Sequence, residues 1–172
     1  MSFADIKQAV VSFVQQNMAA AEPVVFAMGF AEGIPGLSLL IPSSALFLGL
    51  GAVHSAAGGQ FWPMWIAASI GAFAGDVVVY ALARRFERDV ENLPLFRRSS
   101  RWLEHGHALF DRWGVLAIVI GKFTGFLRPF LPAVAGIMRM PLVYFLPASA
   151  LSSFAWAGVF LSPGYGFNWL FF

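Results

Sequence analysis

The sequence predicts an all-α integral membrane protein. Of its 172 residues, 59% are apolar and only 12% are charged, whereas a soluble domain carries about 25% charged residues. Proline and glycine interrupt two of the long apolar stretches. Irregular backbone at membrane depth is tolerated only inside protein or beside water. We therefore expect two broken re-entrant helical hairpins in addition to transmembrane helices.

The N-terminal part of the chain predicts a surface helix followed by the first broken stretch. Residues 1–22 carry apolar side chains at helical spacing, which indicates an amphipathic helix on the membrane or the bundle. Pro23 is expected to end that helix. Residues 24–53 are apolar but contain prolines within 32–36 and 41–44. Because proline removes a backbone donor and clashes inside a helix, this pattern favours a re-entrant hairpin followed by a span.

A transmembrane helix is expected to complete the first half, which covers residues 24–83. Residues 54–60 are rich in glycine and alanine and read as a loop. Residues 61–83 are apolar and long enough to cross about 30 Å of hydrocarbon. Gly71 and Gly75 lie four residues apart in this helix, a spacing that favours close contact with another helix.

A polar segment separates the first half from the second. Residues 84–112 hold seven of the eleven Lys and Arg residues, which predicts a cytoplasmic location by the positive-inside rule. The second half, residues 113–172, repeats the order of the first. Residues 113–138 are apolar but interrupted, and residues 142–161 form a clear span.

The two halves share a short pattern that suggests an internal repeat of inverted topology. Gly29-x-x-Glu32-Gly33 in the first half parallels Gly121-Lys122-x-x-Gly125 in the second. In transporters built this way, the binding site lies where the two halves meet. We expect the same location here.

Four ionisable residues lie inside the apolar stretches: Glu32, Asp76, Lys122 and Arg128. A charge at the bilayer centre is unfavourable by about 3 kcal/mol or more, so such residues usually face a cavity and carry function. The planar guanidinium of Arg128 suits bidentate binding of phosphate, and Lys122 would add a point charge. Glu32 and Asp76 are candidate proton carriers. The alternative is that the two acids only neutralise the two bases.

Other polar residues give weaker signals. Ser43 and Ser44 could contact a ligand headgroup, although serines beside a proline more often cap helix ends. Ser149, Ser152 and Ser153 are expected to mediate helix packing. The chain has no cysteine, and the pair His105 and His107 is a weak metal signal, so we expect no metal and no cofactor.

Two classes of function are disfavoured by the sequence. No nucleophile–base pair or phosphate-cradling loop stands out, so we do not expect an enzyme. The formal net charge is only +2, and no basic patch is interleaved with aromatic residues. We therefore expect no nucleic-acid partner.

A set of short motifs in a fixed order resembles the DedA family. They begin with Phe30-x-Glu32 and Ile41-Pro42-Ser43-Ser44-x-Leu46, followed by Gly71-x-x-x-Gly75-Asp76-x-x-x-Tyr80-x-x-x-Arg84. The second half adds Gly121-Lys122-Phe123, Arg128-Pro129-x-x-Pro132 and Ala135-Gly136, then Trp156 and Gly164-Tyr165. The likeness covers most of the chain, which would form one membrane domain.

The resemblance implies a multi-pass protein of the bacterial inner membrane with two facing re-entrant hairpins. The family is linked to returning undecaprenyl phosphate, a phosphorylated lipid carrier, across that membrane with the help of the proton motive force. Glu32, Asp76 and Arg128 match the family's functional acid, its Gly-Asp motif and its second arginine. Two positions differ, since the family usually has an acid where Ser44 stands and an arginine where Lys122 stands.

Further implications concern the ends and partners of the chain. Family members usually carry a final transmembrane helix after the Gly-Tyr motif, which is expected to be missing here. Some relatives are fused to a lipid-phosphatase domain, so such a domain is an expected partner, alongside membrane lipids and a homo-oligomer.

Together these observations predict a flippase for a phosphorylated polyprenyl lipid. In this hypothesis Arg128 and Lys122 bind the phosphate, while Glu32 and Asp76 carry protons or exchange ion-pair partners. The alternatives are a proton-coupled ion or small-molecule antiporter, which would use the same buried acids, and a membrane scaffold that transports nothing.

Overall fold

The computed structural model describes residues 20–38, 43–86, 108, 110, 112–124 and 128–166. These residues form helices and turns and contain no strand. In chain order the α-helices are α1 (Ala21–Gly33), α2 (Pro35–Ser38), α3 (Ser43–Ala56), α4 (Phe61–Arg85), α5 (Leu116–Gly121), α6 (Leu131–Ile137) and α7 (Leu142–Leu161). Two 3-10 turns complete the order, Arg128–Phe130 before α6 and Ser162–Tyr165 after α7.

Two described stretches are long and apolar enough to cross a membrane, judged by length and composition. They are Phe61–Arg85 and the continuous run Leu142–Tyr165. Both agree with the spans predicted from the sequence, at 61–83 and 142–161. The prediction of an all-helical fold with these two candidate spans is therefore confirmed for the described residues, while the re-entrant hairpins and the inverted repeat stay predictions.

The first apolar stretch breaks where the sequence indicated. Helix α1 ends at Gly33, and Ile34 adopts extended backbone before the single turn of α2. Two boundaries differ from expectation. Helix α1 begins at Ala21, because proline is tolerated in the first turn of a helix and Pro23 lies there. Helix α3 continues through Ala56, so the predicted loop at 54–60 begins after that residue.

Several sequence predictions lie outside the described residues. They are the amphipathic helix before residue 20, nearly all of the polar segment 84–112, and the chain after residue 166. Residues 125–127 of the second broken stretch also fall outside them. The expected interruptions at Lys122 and at Arg128-Pro129 coincide with the end of α5 at Gly121 and with the 3-10 turn Arg128–Phe130, whereas Pro132 lies in the first turn of α6.

Helix α4 is the centre of the bundle. Helix α1 packs along it on one side, and α6 and α7 pack on the others. Helix α3 lies against the turn Ser162–Tyr165 that follows α7. The chain thus surrounds α4 with elements from both halves of the sequence.

The buried apolar residues of the described ranges include three clusters. One contains Trp156, Phe47 and Met64, towards the beginning of α4. The other two lie towards its end, one containing Tyr80 and the other Phe130. All four ionisable residues singled out in the sequence are buried in the same bundle.

Candidate functional site

Glycines bring α1 and α4 into backbone contact and so place the two acids. A Cβ on Gly29 would lie 2.6 Å from the carbonyl oxygen of Ala68, and a Cβ on Gly75 would lie 2.5 Å from that of Phe30. Gly33 faces Gly75 in the same way. Small residues at helix interfaces permit this close approach in membranes. The close contact predicted for Gly71 and Gly75 is therefore confirmed.

The two acids flank this contact. Glu32 precedes Gly33 on α1, and Asp76 follows Gly75 on α4. Both carboxylates are buried, with Glu32 5% and Asp76 3% exposed. The glycine contact thus holds two buried acids, from two helices, at the same level of the bundle.

Asp76 forms an ion pair with Lys122, at the end of α5. The ammonium of Lys122 donates to Oδ2 of Asp76 and also to Oγ of Ser153, at 2.5 Å. Oγ of Ser149 donates to the same carboxylate oxygen at 2.7 Å. Both serines lie on α7. This pair is therefore hydrogen-bonded on both sides, and it ties α4, α5 and α7 together.

Glu32 forms the second ion pair, with Arg128. Nη1 of Arg128 donates to Oε1 of Glu32. The guanidinium lies over the ring of Trp156, with its central carbon 3.6 Å from the ring centroid. Trp156 is itself buried and meets the ring of Phe47 edge-on at 5.0 Å. The guanidinium of Arg128 thus binds a carboxylate in its own plane, and an aromatic ring packs against one of its faces.

The second pair is incompletely hydrogen-bonded. Within the described part of the chain, no partner exists for Nε and Nη2 of Arg128 or for Oε2 of Glu32, and all three atoms are buried. Buried polar atoms normally have partners, and each exception calls for an explanation. Nε and Nη2 form one edge of the guanidinium, the geometry that binds two oxygens of a phosphate or carboxylate at once.

An apolar groove runs along α1 and α2 beside Glu32. Its volume is about 280 Å³, near the lower end of the range of about 300–1,000 Å³ seen for ligand pockets. Its apolar walls come from successive turns of α1 and from α2. Its lining residues are Val24, Ala27, Met28, Ala31, Glu32, Leu37 and Ser38. Glu32 therefore lines the groove and also takes part in the ion pair, while its Oε2 is buried.

A separate polar contact lies towards the beginning of α4. Nδ1 of His54 and the hydroxyl of Tyr165 are 2.5 Å apart and buried. The hydroxyl of Tyr165 also donates to the carbonyl of Gln60 at 3.4 Å. Burial lowers the pKa of His54, and the carboxylate of Glu22 partly offsets this effect. The contact fastens α3 to the end of the last described span.

The structure thus brings together all four ionisable residues singled out in the sequence, as the pairs Asp76–Lys122 and Glu32–Arg128. Ser43 and Ser44 lie in the first turn of α3. In the described ranges, no group of three or more His, Asp or Glu side chains is placed to hold a metal ion.

Sequence reasoning missed two features of this site. Ser149 and Ser153 were expected only to mediate helix packing. The hydroxyl of Ser149 also donates a hydrogen bond to Asp76, and that of Ser153 accepts one from Lys122. Trp156 was read only as part of a motif. Tryptophan in membrane proteins is enriched at the membrane interfaces. A tryptophan inside a predicted span could therefore have indicated a role in the site.

Comparison with known proteins relates the chain to one protein family. The VTT domain family matches residues 34–166, which include three of the four ionisable residues of the site. No solved structure matches the chain significantly. Several curated relatives are named as membrane proteins and come from bacteria, and the chain spans about three fifths of the length of three of them.

Three relatives show the levels of sequence identity and coverage. The chain is 26% identical to the inner membrane protein YabI of Escherichia coli over 88% of its own length and 60% of that protein. It is 34% identical to the uncharacterized membrane protein Rv2637 of Mycobacterium tuberculosis, over 78% of its length and 65% of that protein. It is 30% identical to protein DedA of Escherichia coli, over 58% and 46%. The chain therefore belongs to the VTT domain, or DedA, family of membrane proteins.

Proposed function

We propose that this protein is a flippase that translocates a phosphorylated polyprenyl lipid, of the undecaprenyl phosphate class, across the bacterial inner membrane. The observation that carries the proposal is the buried Nε–Nη2 edge of Arg128, which has no hydrogen-bond partner among the described residues. A phosphate monoester offers oxygens at the spacing that this edge binds. The edge and the Glu32 carboxylate lie together, so phosphate binding and Glu32 are coupled.

The Glu32 carboxylate gives the site a way to accept and release phosphate. Its Oε1 accepts a hydrogen bond from Arg128, while its Oε2 has no partner among the described residues. A bound phosphate repels this carboxylate, since like charges close together in low dielectric are strongly unfavourable. In our proposal Glu32 therefore takes up a proton from water as the phosphate binds to Arg128. Loss of that proton on the other side restores the ion pair and expels the phosphate.

The Asp76–Lys122 pair has a supporting role in this cycle. The ammonium of Lys122 already has Asp76 and Ser153 as acceptors. We therefore assign phosphate binding chiefly to Arg128, with Lys122 adding positive potential and Asp76 holding it in place. Ser43 and Ser44 stay candidate headgroup contacts at the beginning of α3.

The apolar groove favours a lipid over a soluble ion as the substrate. Glu32 is one of the residues that line the groove, and the other lining residues are apolar apart from Ser38. A proton-coupled antiporter for ions or small polar molecules needs a polar or hydrated path to the same acids. The described walls of the groove do not provide one.

A flipping assay tests the proposal. The full protein is reconstituted into liposomes with undecaprenyl phosphate, and an impermeant headgroup probe reports exposure on each side. We expect Arg128→Ala to abolish flipping and Arg128→Lys to retain only part of it, since lysine keeps the charge but loses the bidentate edge. Arg112→Ala is the matched control, because Arg112 is exposed and lies over Trp113 outside the site.

The outcomes separate the candidate functions. Normal flipping by a folded Arg128→Ala variant contradicts the assigned site. Wild-type protein that flips no lipid but exchanges protons for ions supports the antiporter. Wild-type protein that does neither, while its presence stabilises other membrane proteins, supports the scaffold.

A further inference from the structure

We infer that three arginines at one end of the bundle form a binding surface for the headgroup of an anionic phospholipid. They are Arg84 and Arg85, in the last turn of α4, and Arg139, in the turn between α6 and α7. All three residues are exposed. Arg128 is buried and is not part of this surface, so the inference does not depend on the proposed function.

Arg84 fastens the end of α4 to the turn that follows α6. Its Nη1 donates to the hydroxyl of Tyr80 at 2.5 Å and to the carbonyl of Met140 at 3.3 Å. The hydroxyl of Tyr80 itself donates to the same carbonyl. Gly136 lets the two elements approach each other, since a Cβ there would lie 3.0 Å from the backbone nitrogen of Arg84. These contacts hold Arg84 beside the turn that contains Arg139.

The backbone of Arg139 indicates that its side chain has a function. Helix α6 ends in the two hydrogen bonds of a Schellman motif. They run from the N–H of Arg139 to the carbonyl of Gly136 and from the N–H of Met140 to the carbonyl of Ala135, each at 3.0 Å. Arg139 has a φ of 53° at the position of this motif that favours glycine. The stability of the turn therefore does not explain an arginine here, whereas a role for its charge does.

The three arginines lie at one edge of the apolar part of the bundle. The candidate span Phe61–Arg85 ends with Arg84 and Arg85, and the candidate span Leu142–Tyr165 begins three residues after Arg139. Because Arg84 binds the turn before the second span, the end of one span and the beginning of the other lie at the same level. In a membrane, the phosphate groups of one leaflet lie at such an edge.

Exposed apolar side chains continue from the arginines along both spans. Leu82, which is 50% exposed, lies three residues before Arg85 on α4. Val143 and Tyr144, in the first turn of α7, are 71% and 55% exposed. A ligand that covers both parts of this surface has a negative headgroup and hydrocarbon chains beneath it. An anionic phospholipid has this chemistry, whereas an acidic protein or a soluble anion would cover only the charges.

Native mass spectrometry of the purified full protein in a nonionic detergent tests the inference. The probes are dioctanoyl phosphatidylglycerol, which is anionic, and dioctanoyl phosphatidylcholine, which is zwitterionic. We expect wild type to bind phosphatidylglycerol at least about tenfold more tightly than phosphatidylcholine. Arg85→Gln and Arg139→Gly are each expected to weaken phosphatidylglycerol binding about fivefold, and the double variant is expected to lose most of the preference.

The variants separate the loss of charge from a loss of fold. Arg139→Gly places the preferred residue at a positive φ, so the turn is expected to form as in wild type. Arg85→Lys and Arg139→Lys keep the charge and are expected to retain the preference. Glu22→Gln is the matched control, since it changes one charge at the other end of the bundle, where α1 begins.

Four results would overturn the inference. Equal binding of the two lipids by wild type contradicts recognition of the anionic headgroup. A preference that persists in the double variant contradicts the assigned surface. Displacement of phosphatidylglycerol by an equal concentration of inorganic phosphate indicates a site for a soluble anion, and displacement by a polyglutamate peptide indicates an acidic protein partner. None of these results bears on the flipping assay, which tests Arg128.

Discussion

Removing one charge of the Asp76–Lys122 pair is expected to destabilise the bundle more than removing both. Asp76→Leu leaves the ammonium of Lys122 buried with Ser153 as its remaining acceptor. Breaking a buried ion pair from one side is unfavourable by about 3–5 kcal/mol, because the other charge stays uncompensated. Lys122→Met is expected to have a similar effect, since it leaves the Asp76 carboxylate with the Ser149 hydroxyl.

The double variant Asp76→Leu, Lys122→Met removes both charges and keeps an apolar volume in their place. Replacing a complete buried pair by apolar residues is often neutral or stabilising. Ser149 and Ser153 lose their charged partners, but a serine in a helix can bind the carbonyl one turn earlier. We therefore expect the double variant to lie within about 2 kcal/mol of wild type.

The assay is unfolding by sodium dodecyl sulfate in mixed micelles, followed by the helical circular dichroism signal. Ser152→Ala is the control, because its hydroxyl binds only the carbonyl of Ser149 among the described contacts. Two results would contradict this prediction: each single variant losing less than about 1 kcal/mol of unfolding free energy, or the double variant being less stable than both single variants. Either result would mean that the two residues do not support each other in the folded state.

Three further predictions follow from the structure. Trp156→Leu should reduce the rate of flipping at least about tenfold, while Trp156→Phe keeps most of it. The reason is that an aromatic ring face over a desolvated guanidinium contributes about 2 kcal/mol. Equal flipping rates for wild type and Trp156→Leu would contradict this. Gly75→Ala should lower the unfolding midpoint in the same micelles, because its Cβ meets the backbone of Phe30, whereas Gly158→Ala, which faces only a side chain, should not. Because burial lowers the pKa of His54, the unfolded chain binds a proton that the folded chain does not. Stability should therefore fall as pH drops below about 6.5, and a His54→Phe variant should show no such fall.

The long spans could be predicted closely from the sequence. The helix expected at 61–83 runs from Phe61 to Arg85, and the one expected at 142–161 has those bounds. In both cases an uninterrupted apolar run fixes the length, because a membrane requires about twenty such residues. The structure of the broken stretches was harder to predict, because a proline indicates where a helix breaks but not which direction the chain takes afterwards.

The four charged residues of the site were visible in the sequence, but their pairing was not. Arg128 lies 96 residues from Glu32, and Lys122 lies 46 residues from Asp76. No local pattern connects positions so distant, and either base could have faced either acid. The pairing depends on how α5 and the turn before α6 pack on α4, which tertiary contacts determine.

The glycine contacts between α1 and α4 also have a mechanical consequence. Because the backbones of α1 and α4 are in contact, these helices have little room to slide or rotate past each other, and we expect them to move as one rigid unit. Glu32 and Asp76 both stand on this unit, on either side of Gly33 and Gly75. During a conformational cycle, the two acids can therefore face different bases or a different side of the membrane. The distance between the two acids is expected to stay constant throughout.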